Sequence, residues 1–156
     1  MDRLWAPWRA KYILAASKQK KRSACIFCKR ADYLVFTTGF SKCVLNAFPY
    51  NNGHLMVAPK RHCAQLDQLS ERELLDLMGS VTRAKRLLEK VLSPDGFNIG
   101  INISRTAGAG FPGHLHVHIV PRWNGDTNFM PVIFGAKVLS QSLDELLKQL
   151  KNAQKP

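Results

Sequence analysis

Three histidines at two-residue spacing are the side chains best suited to chemistry in this 156-residue chain. His114, His116 and His118 alternate with the apolar residues Leu115 and Val117. In a β-strand this spacing places the three imidazoles on one face and the apolar side chains on the other. A neutral imidazole can serve as a base, a nucleophile or a metal ligand near pH 7. We therefore predict that this segment carries the functional site.

Two other interpretations of the histidine segment stay open. The imidazoles could be hydrogen-bonded side chains of a half-buried surface, or two of them could bind a metal ion. One ion is not expected to bind all three, because a strand rises about 3.3 Å per residue and separates the Cα atoms of His114 and His118 by roughly 13 Å. The three histidines are therefore expected to have separate tasks.

The elements that must position these histidines can be predicted from residue patterns. Residues 42–48 and 54–58 read as two strands joined by a turn, and residues 97–104 alternate as a third strand with Asn98 and Asn102 on its polar face. Ser70 and Glu73 form a capping box that begins a long helix. A second capped helix is predicted from about residue 142 to 150. With no regular strand–helix alternation, the class is α+β around an antiparallel sheet.

The long helix carries an apolar stripe that we assign to the core. Its members recur at steps of three and four residues: Leu74, Leu77, Met78, Val81, Leu88 and Val91.

The charge of the chain is concentrated at its beginning. The net charge is +12, and residues 1–30 contain nine Lys or Arg against one acidic residue. We predict a basic, aromatic arm over residues 1–24 and a single domain over 25–156. The run at 18–22 is either a solvated segment or a contact for nucleic acid, and the positive field favours anionic ligands such as nucleotides. No apolar stretch approaches the ~18 residues of a membrane span and no signal peptide is evident, so we expect a cytoplasmic protein without a membrane partner.

Cys25 and Cys28 form a pair at C-x2-C spacing. Two thiolates at this spacing can bind zinc, form a redox pair, or remain as unliganded buried thiols. Residue types alone leave the three interpretations open.

Residues 46–62 together with the glycine-rich approach to His114, His116 and His118 resemble the histidine triad (HIT) family of nucleotide hydrolases and transferases. The resemblance covers roughly residues 25–134. Residues 5–8 (Trp-Ala-Pro-Trp) and 125–131 resemble the branch that includes diadenosine tetraphosphate hydrolases and phosphorylases. The family fold has an antiparallel sheet of about five strands with one long and one C-terminal helix, and its members are generally homodimers that share a ten-stranded sheet.

The resemblance implies roles for the triad. His116 would attack the α-phosphorus of a nucleotide and form a covalent nucleotidyl-histidine. His54 would orient His116 by bonding its other ring nitrogen. His118 would hold adjacent main chain or phosphate oxygens.

The resemblance also implies binding residues for the nucleotide. Asn46 matches a position that contacts ribose hydroxyls, and Asn102 matches one near the phosphates. The amides of residues 107–110, including Ala109 and Gly110, would surround the phosphate chain, although a flexible glycine turn is an equal alternative.

A structural zinc site is a further implication, because many bacterial members complete a tetrahedral site with two histidines. The residues that match these ligands are Cys25, Cys28, His62 and His114.

We therefore predict a hydrolase that cleaves dinucleoside polyphosphates, with diadenosine tetraphosphate as the expected substrate. One departure leaves the acceptor open between water and phosphate. Phosphorylase relatives tend to have Gly-Ser where this chain has Ala109-Gly110, so a hydroxyl near the leaving phosphate is missing. The alternatives are a diadenosine tetraphosphate phosphorylase, a nucleotide-binding regulator whose basic arm contacts RNA, and a zinc-stabilised interaction protein.

Overall fold

The sheet has five antiparallel strands in the spatial order β1-β2-β3-β5-β4. The computed structural model describes residues 25–28, 33–127 and 139–155. Within these ranges the strands are β1 Leu34–Thr37, β2 Ser41–Leu45, β3 Leu55–Pro59, β4 Gly96–Ile101 and β5 Val117–Arg122. The helices are α1 Glu71–Leu92 and α2 Leu143–Asn152, with a short 3-10 turn at Leu66–Gln68. The predicted arm over residues 1–24 lies outside the described residues.

The predicted hairpin is formed by β2 and β3, which pair from Ser41↔Pro59 to Leu45↔Leu55. The strand predicted at 97–104 is β4, which ends earlier, at Ile101. β1 was not predicted, because its four residues are too short a run to show alternation. The α+β class, the five-stranded sheet and the two helices are confirmed.

Both helices begin at the serine caps that the sequence predicts. Ser70 Oγ accepts a hydrogen bond from the Glu73 amide, and the Glu73 carboxylate accepts one from the Ser70 amide at 2.9 Å. Ser142 caps α2 in the same way through the Glu145 amide. These bonds satisfy amides that have no partner within the first turn of a helix.

The two faces of the sheet carry different contents. One face packs against the helices through Leu77, Val81 and Leu88 of α1 and Leu146 and Leu150 of α2. The opposite face carries a small apolar cluster of Phe27, Val44, Met56 and Ala58. The sheet thus separates a helical core from the face that the histidines occupy.

Two members of the predicted helix stripe are not core residues. Leu74 and Met78 are 42% and 49% exposed. They lie in the first part of α1, whose buried residues begin at Leu77. The assignment of these two residues to the core was wrong. None of the described helices is long and apolar enough to cross a membrane.

Candidate active site and metal cluster

The histidine segment has the alternation that its sequence predicts. Leu115, Val117 and Ile119 point into the helical core. His118 lies in β5 opposite Met56 of β3, which belongs to the apolar cluster on the other face. His114 and His116 lie in the approach to β5 rather than within it, because the strand begins at Val117.

The ring of His116 is held in one tautomer by a backbone carbonyl. Its Nδ1 lies 2.8 Å from the carbonyl oxygen of His114, so Nδ1 carries the proton and donates it. Nε2 therefore keeps its lone pair, and in the described part of the chain it has no hydrogen-bond partner. The residue is only 5% exposed. This arrangement leaves a ring nitrogen with a lone pair that could act as a nucleophile.

His54 and His118 form a second hydrogen-bonded pair. The Tyr50 amide donates to His54 Nδ1 at 3.1 Å, so the proton of neutral His54 is on Nε2. That nitrogen lies 2.9 Å from His118 Nδ1 and donates to it. The proton of His118 is then on Nε2, a buried atom without a partner among the described residues. The pair thus presents an unused N–H donor.

The prediction that His54 bonds the ring of His116 was wrong. The second ring nitrogen of His116 is bonded to the His114 carbonyl, and His54 bonds His118 instead. The His116 and His118 rings contact each other edge to face, with centroids 4.8 Å apart. Among the contacts of the described residues, His54 is therefore linked to His116 through His118.

Burial keeps these histidines neutral at pH 7. The pKa of His54 is lowered to about 3 by burial and by the neighbouring His118 and His116. Burial and the neighbouring His116 lower the pKa of His118 to about 4. The pKa of His116 is also below its ordinary value because of burial, although the bond to the His114 carbonyl acts in the opposite direction. Neutral rings are the forms that a nucleophile and an uncharged N–H donor require.

Asn46 contacts His54, at the end of the hydrogen-bonded pair away from His118 Nε2. Its Nδ2 lies 3.2 Å from His54 Nδ1, and its Oδ1 accepts a hydrogen bond from the Phe48 amide at 2.9 Å. The side chain is half-buried and keeps one N–H and one oxygen lone pair for a further partner.

Two aromatic rings flank the histidines and were not singled out in the sequence. Phe27 packs against His116 with ring centroids 4.9 Å apart, and Tyr50 packs against His54 at 4.7 Å. Phe27 lies between Cys25 and Cys28, so its position in the C-x2-C segment was the one available signal.

The glycine-rich turn uses two of its amides internally. Gly108 donates to the Arg105 carbonyl at 3.0 Å, and Ala109 donates to the Ser104 carbonyl at 3.3 Å. The amide of Gly110 has no hydrogen-bond partner in the described residues. Gly108 has a φ of +90°, and a Cβ there would lie 3.8 Å from Nδ2 of Asn102. The turn therefore lies beside Asn102 but offers fewer free amides than predicted.

Four predicted metal ligands converge at one point of the same face. The ligand atoms of Cys25, Cys28, His62 and His114 all lie within 4.8 Å of one another. Cys25 Sγ and Cys28 Sγ lie 3.2 Å and 3.6 Å from His114 Nδ1. The Nδ1 atoms of His62 and His114 are 3.2 Å apart. Cys43 and Cys63 are buried elsewhere as free thiols. The Cys/His cluster, as we call these four residues, is a possible metal site.

The donor set of the Cys/His cluster fits a zinc ion. Zinc–sulfur bonds of about 2.3 Å and zinc–nitrogen bonds of about 2.0 Å in a tetrahedron place ligand atoms roughly 3.3–3.8 Å apart. His114 Nε2 lies 2.9 Å from the carbonyl of Pro59 and donates to it, which leaves the Nδ1 lone pair directed at the cluster. A carbonyl that accepts a hydrogen bond from the other ring nitrogen is typical of metal-bound histidine.

A cavity of about 490 Å³ lies away from this chemistry. Its lining includes Asn51, Trp123, Asp126 and Gln141, and none of the histidines. Among the described residues, this cavity is therefore separate from the histidine site.

Comparison with known proteins identifies the same family that the sequence resembles. A family model described as the HIT domain matches residues 29–125. An AP-4-A phosphorylase of Mycobacterium tuberculosis is 37% identical over 161 residues, which cover 96% of this chain and 83% of that protein. An asymmetrical bis(5'-nucleosyl)-tetraphosphatase of Schizosaccharomyces pombe is 40% identical over 91 residues, covering 58% of this chain and 50% of that protein.

A solved structure shows the same fold. A zinc-bound histidine triad family protein of Mycobacterium smegmatis superposes with a TM-score of 0.62 at 22% identity. The superposition covers 92% of this chain and 91% of that one.

Proposed function

The chain belongs to the histidine triad family, and from this membership we propose that it cleaves dinucleoside polyphosphates through a covalent nucleotidyl intermediate on His116. Its relatives include proteins named as an AP-4-A phosphorylase and a bis(5'-nucleosyl)-tetraphosphatase. For this chain we propose diadenosine tetraphosphate as the substrate. The observation that carries the proposal is the free Nε2 lone pair of His116 next to the unused N–H of His118.

In the first step, Nε2 of His116 attacks the α-phosphorus. An N–P bond forms, and the P–O bond to the polyphosphate chain breaks, so the electron pair leaves with the released nucleotide. The N–H of His118 donates a hydrogen bond to a phosphate oxygen on which charge develops. The neutral form of His118 is sufficient for this role, because the released polyphosphate is a stable anion and needs no proton from an imidazolium. The His114 carbonyl stabilises the imidazolium through its bond to Nδ1.

In the second step, an acceptor oxygen attacks the nucleotidyl phosphorus and the N–P bond breaks. The electron pair of that bond returns to Nε2 of His116, which becomes neutral again. When the acceptor is water, its proton passes to the surrounding solvent and diadenosine tetraphosphate gives AMP and ATP. When the acceptor is phosphate, it gives ADP and ATP. Hydrolysis is our leading proposal and phosphorolysis is the alternative.

Four residues are proposed to bind the nucleotide. Asn46 would contact the ribose with the hydrogen-bonding capacity that His54 and Phe48 leave unused. Asn102, Ala109 and Gly110 would lie along the phosphates, with the free amide of Gly110 as the donor. The Ala109 amide would remain part of the turn.

We propose that the Cys/His cluster binds a structural zinc ion. Its four donors leave no position for substrate, so the ion would crosslink segments and would not act on phosphate. Metal analysis of the purified protein, beside a Cys25→Ser variant, tests this: about one zinc per chain is expected, and a native protein without zinc would exclude it.

We further propose a homodimer in the cytoplasm. The dimer is supported by β4, which pairs with β5 on one side only in the described sheet. Free thiols at the Cys/His cluster agree with a reducing compartment.

The RNA-contacting arm concerns residues outside the described ranges and stays a prediction. Deletion of residues 1–24 and salt titration of RNA binding would test it.

The His116→Ala variant tests the mechanism directly. We expect the native protein, quenched during turnover of diadenosine tetraphosphate, to carry an added nucleotidyl mass on His116. The variant should form no adduct and lose turnover, while its affinity for AMP changes little. Full activity in the variant would refute the covalent mechanism. Product analysis with and without phosphate then identifies the acceptor.

A further inference from the structure

The ring of His116 is restrained on three sides. Phe27 packs on it at 4.9 Å with the ring planes 31° apart, and His118 contacts it edge to face at 4.8 Å. The third restraint is the hydrogen bond from Nδ1 to the His114 carbonyl. Phe27 and His114 supply two of these restraints, and both belong to the segments that form the Cys/His cluster.

Phe27 owes its position to the loop between Cys25 and Cys28. It is 1% exposed and covers Val44, Met56 and Ala58 on the histidine face of the sheet. The loop is held by the turn bond from the Cys28 amide to the Cys25 carbonyl, by the two thiols at the Cys/His cluster, and by a hydrogen bond from Lys42 Nζ to the Phe27 carbonyl. The two thiols at the Cys/His cluster and the Phe27 ring, which contacts His114 and His116, thus anchor this short loop to the histidine segment.

His114 connects the same cluster to the nucleophile through its main chain. Its Nδ1 faces the two thiols and its Nε2 donates to the Pro59 carbonyl, so both ring nitrogens are engaged. Its own carbonyl accepts the Nδ1 proton of His116. A shift of the His114 ring would therefore move the acceptor that selects the tautomer of His116.

We infer that Phe27 and His114 are positioning residues that couple metal binding at the Cys/His cluster to the placement of the nucleophilic ring of His116. This inference rests on the proposed function of His116. Bonds of Cys25, Cys28, His62 and His114 to one ion would fix the loop and the histidine segment relative to each other. Without the ion, His116 keeps its chemistry, but metal bonds no longer hold Phe27 and His114 in the positions from which they restrain its ring.

The first experiment compares native and chelator-treated protein, with metal content measured and folding checked by far-ultraviolet circular dichroism. Rapid quench with diadenosine tetraphosphate gives the rate of nucleotidyl-His116 formation, and AMP titration gives binding. We expect the rate to fall by about tenfold to a hundredfold on metal removal, because small misplacement of a reacting group has effects of this size. The Kd for AMP should change less than about threefold, which is well below the expected fall in the rate of adduct formation.

A spectroscopic readout separates placement from general loss of activity. In native protein, ¹⁵N signals of His116 should report a protonated Nδ1 and an unprotonated Nε2. In metal-free protein, we expect averaged signals from two tautomers.

The Phe27→Leu variant tests the aromatic contact with the metal still bound. Its matched control is Phe36→Leu, the same change at a buried ring on the helical face of the sheet. We expect slower adduct formation in Phe27→Leu only, with AMP binding retained. If metal-free protein does not fold, this pair of variants decides the matter.

The outcomes distinguish the inference from the proposed function. Native protein that forms no adduct overturns the proposed function. Native protein that forms the adduct but contains no metal, or forms it equally fast with and without metal, overturns the inference. Equal rates for Phe27→Leu and Phe36→Leu, or an effect of Phe27→Leu on AMP binding alone, also overturn it.

Discussion

Three neighbouring histidines acquire different tasks from their hydrogen-bond partners. A backbone carbonyl leaves the Nε2 lone pair of His116 free for the proposed attack, whereas the Tyr50 amide bonded to His54 leaves His118 with an N–H donor at Nε2. The spacing of the triad predicted a shared face and separate roles. It could not predict which ring bonds which, because that depends on the register of β3 against β5 and on the loop that carries Tyr50.

The His118→Ala variant removes the unused N–H donor next to the nucleophile. We expect adduct formation to slow by about 10²-fold, since the loss of one preorganised donor to a transition-state oxygen has effects of this order. AMP binding should change little. His118→Gln is the control, because its side-chain amide can present an N–H near the same point and should recover part of the rate. Equal rates in the alanine and glutamine variants would contradict this role.

Acidification should destabilise the fold through the buried histidines. Their pKa values are about 3 for His54 and about 4 for His118 in the folded chain, against 6.5 ordinarily. Below pH 6.5 the unfolded chain binds protons that the folded chain excludes, so the unfolding free energy falls until the pH reaches the folded pKa values. The unfolding free energy at pH 5 should therefore be lower than at pH 7 by an amount on the order of 2 kcal/mol for the pair, because the two shifts are coupled and solvent screens the half-buried His118.

Urea unfolding of metal-free protein at pH 7 and pH 5 measures this loss without a contribution from metal release. The His118→Gln variant should show a smaller dependence on pH. A native unfolding free energy that is equal at both pH values would show that these rings are not held neutral.

At the scale of secondary structure, turns position the histidines as much as strands do. Gly53 precedes His54 with a φ of +78°, and a Cβ at this position would lie 2.5 Å from Leu92 and 3.0 Å from Pro121. The loop therefore approaches α1 and β5 closely because this residue has no side chain. The sequence predicted a turn at 49–53 but not this contact, which joins segments far apart in the chain.

The Gly53→Ala variant should be destabilised by more than about 2 kcal/mol, because strain of about 1–2 kcal/mol adds to a steric clash. Gly125→Ala is a matched control: its φ is +77°, and nothing lies within 4 Å of the added carbon. The control should show the backbone strain alone. Chemical denaturation of both variants measures the difference, and equal losses would exclude the clash.

The predictable elements were those whose signals are local. Both helix starts follow from serine caps, and the β2–β3 hairpin follows from its turn residues. β1 was missed because its pairing with β2 is a tertiary contact of a short run. The exposure of Leu74 and Met78 was missed because periodicity shows the direction of a side chain but not where the sheet beneath it ends.

At the scale of the whole molecule, the β4 edge of the sheet is apolar and has no pairing strand among the described residues. Ile99 on β4 is 45% exposed, and Lys85 of α1 lies 5.3 Å from the ring of Phe97 on the same strand. Met78 and Leu74 lie seven and eleven residues before Lys85, so helical periodicity places these two exposed side chains on the side of α1 that faces Phe97 of β4. An edge of this kind favours pairing with a second chain.

The Ile99→Lys variant should weaken the proposed dimer, because a buried lysine at a subunit interface lacks a partner. Sedimentation equilibrium should give a dimer for native protein and a larger monomer fraction for the variant. Phe40→Lys is the control, since Phe40 is equally exposed at 45% but lies by β1 at the other edge. A native monomer, or dissociation by both variants alike, would contradict the proposal.

The unused N–H of His118 makes the thermal stability of the protein depend on the anion concentration of the solution. A buried donor without an acceptor reduces folding stability by about 1–3 kcal/mol, and an oxygen from a bound anion would remove that deficit. Melting temperature should therefore rise with the logarithm of inorganic phosphate concentration once the site begins to fill. In His118→Ala the rise should be smaller. Differential scanning fluorimetry across a phosphate series measures this rise, so the melting temperature of the native chain would report the anion concentration of the solution.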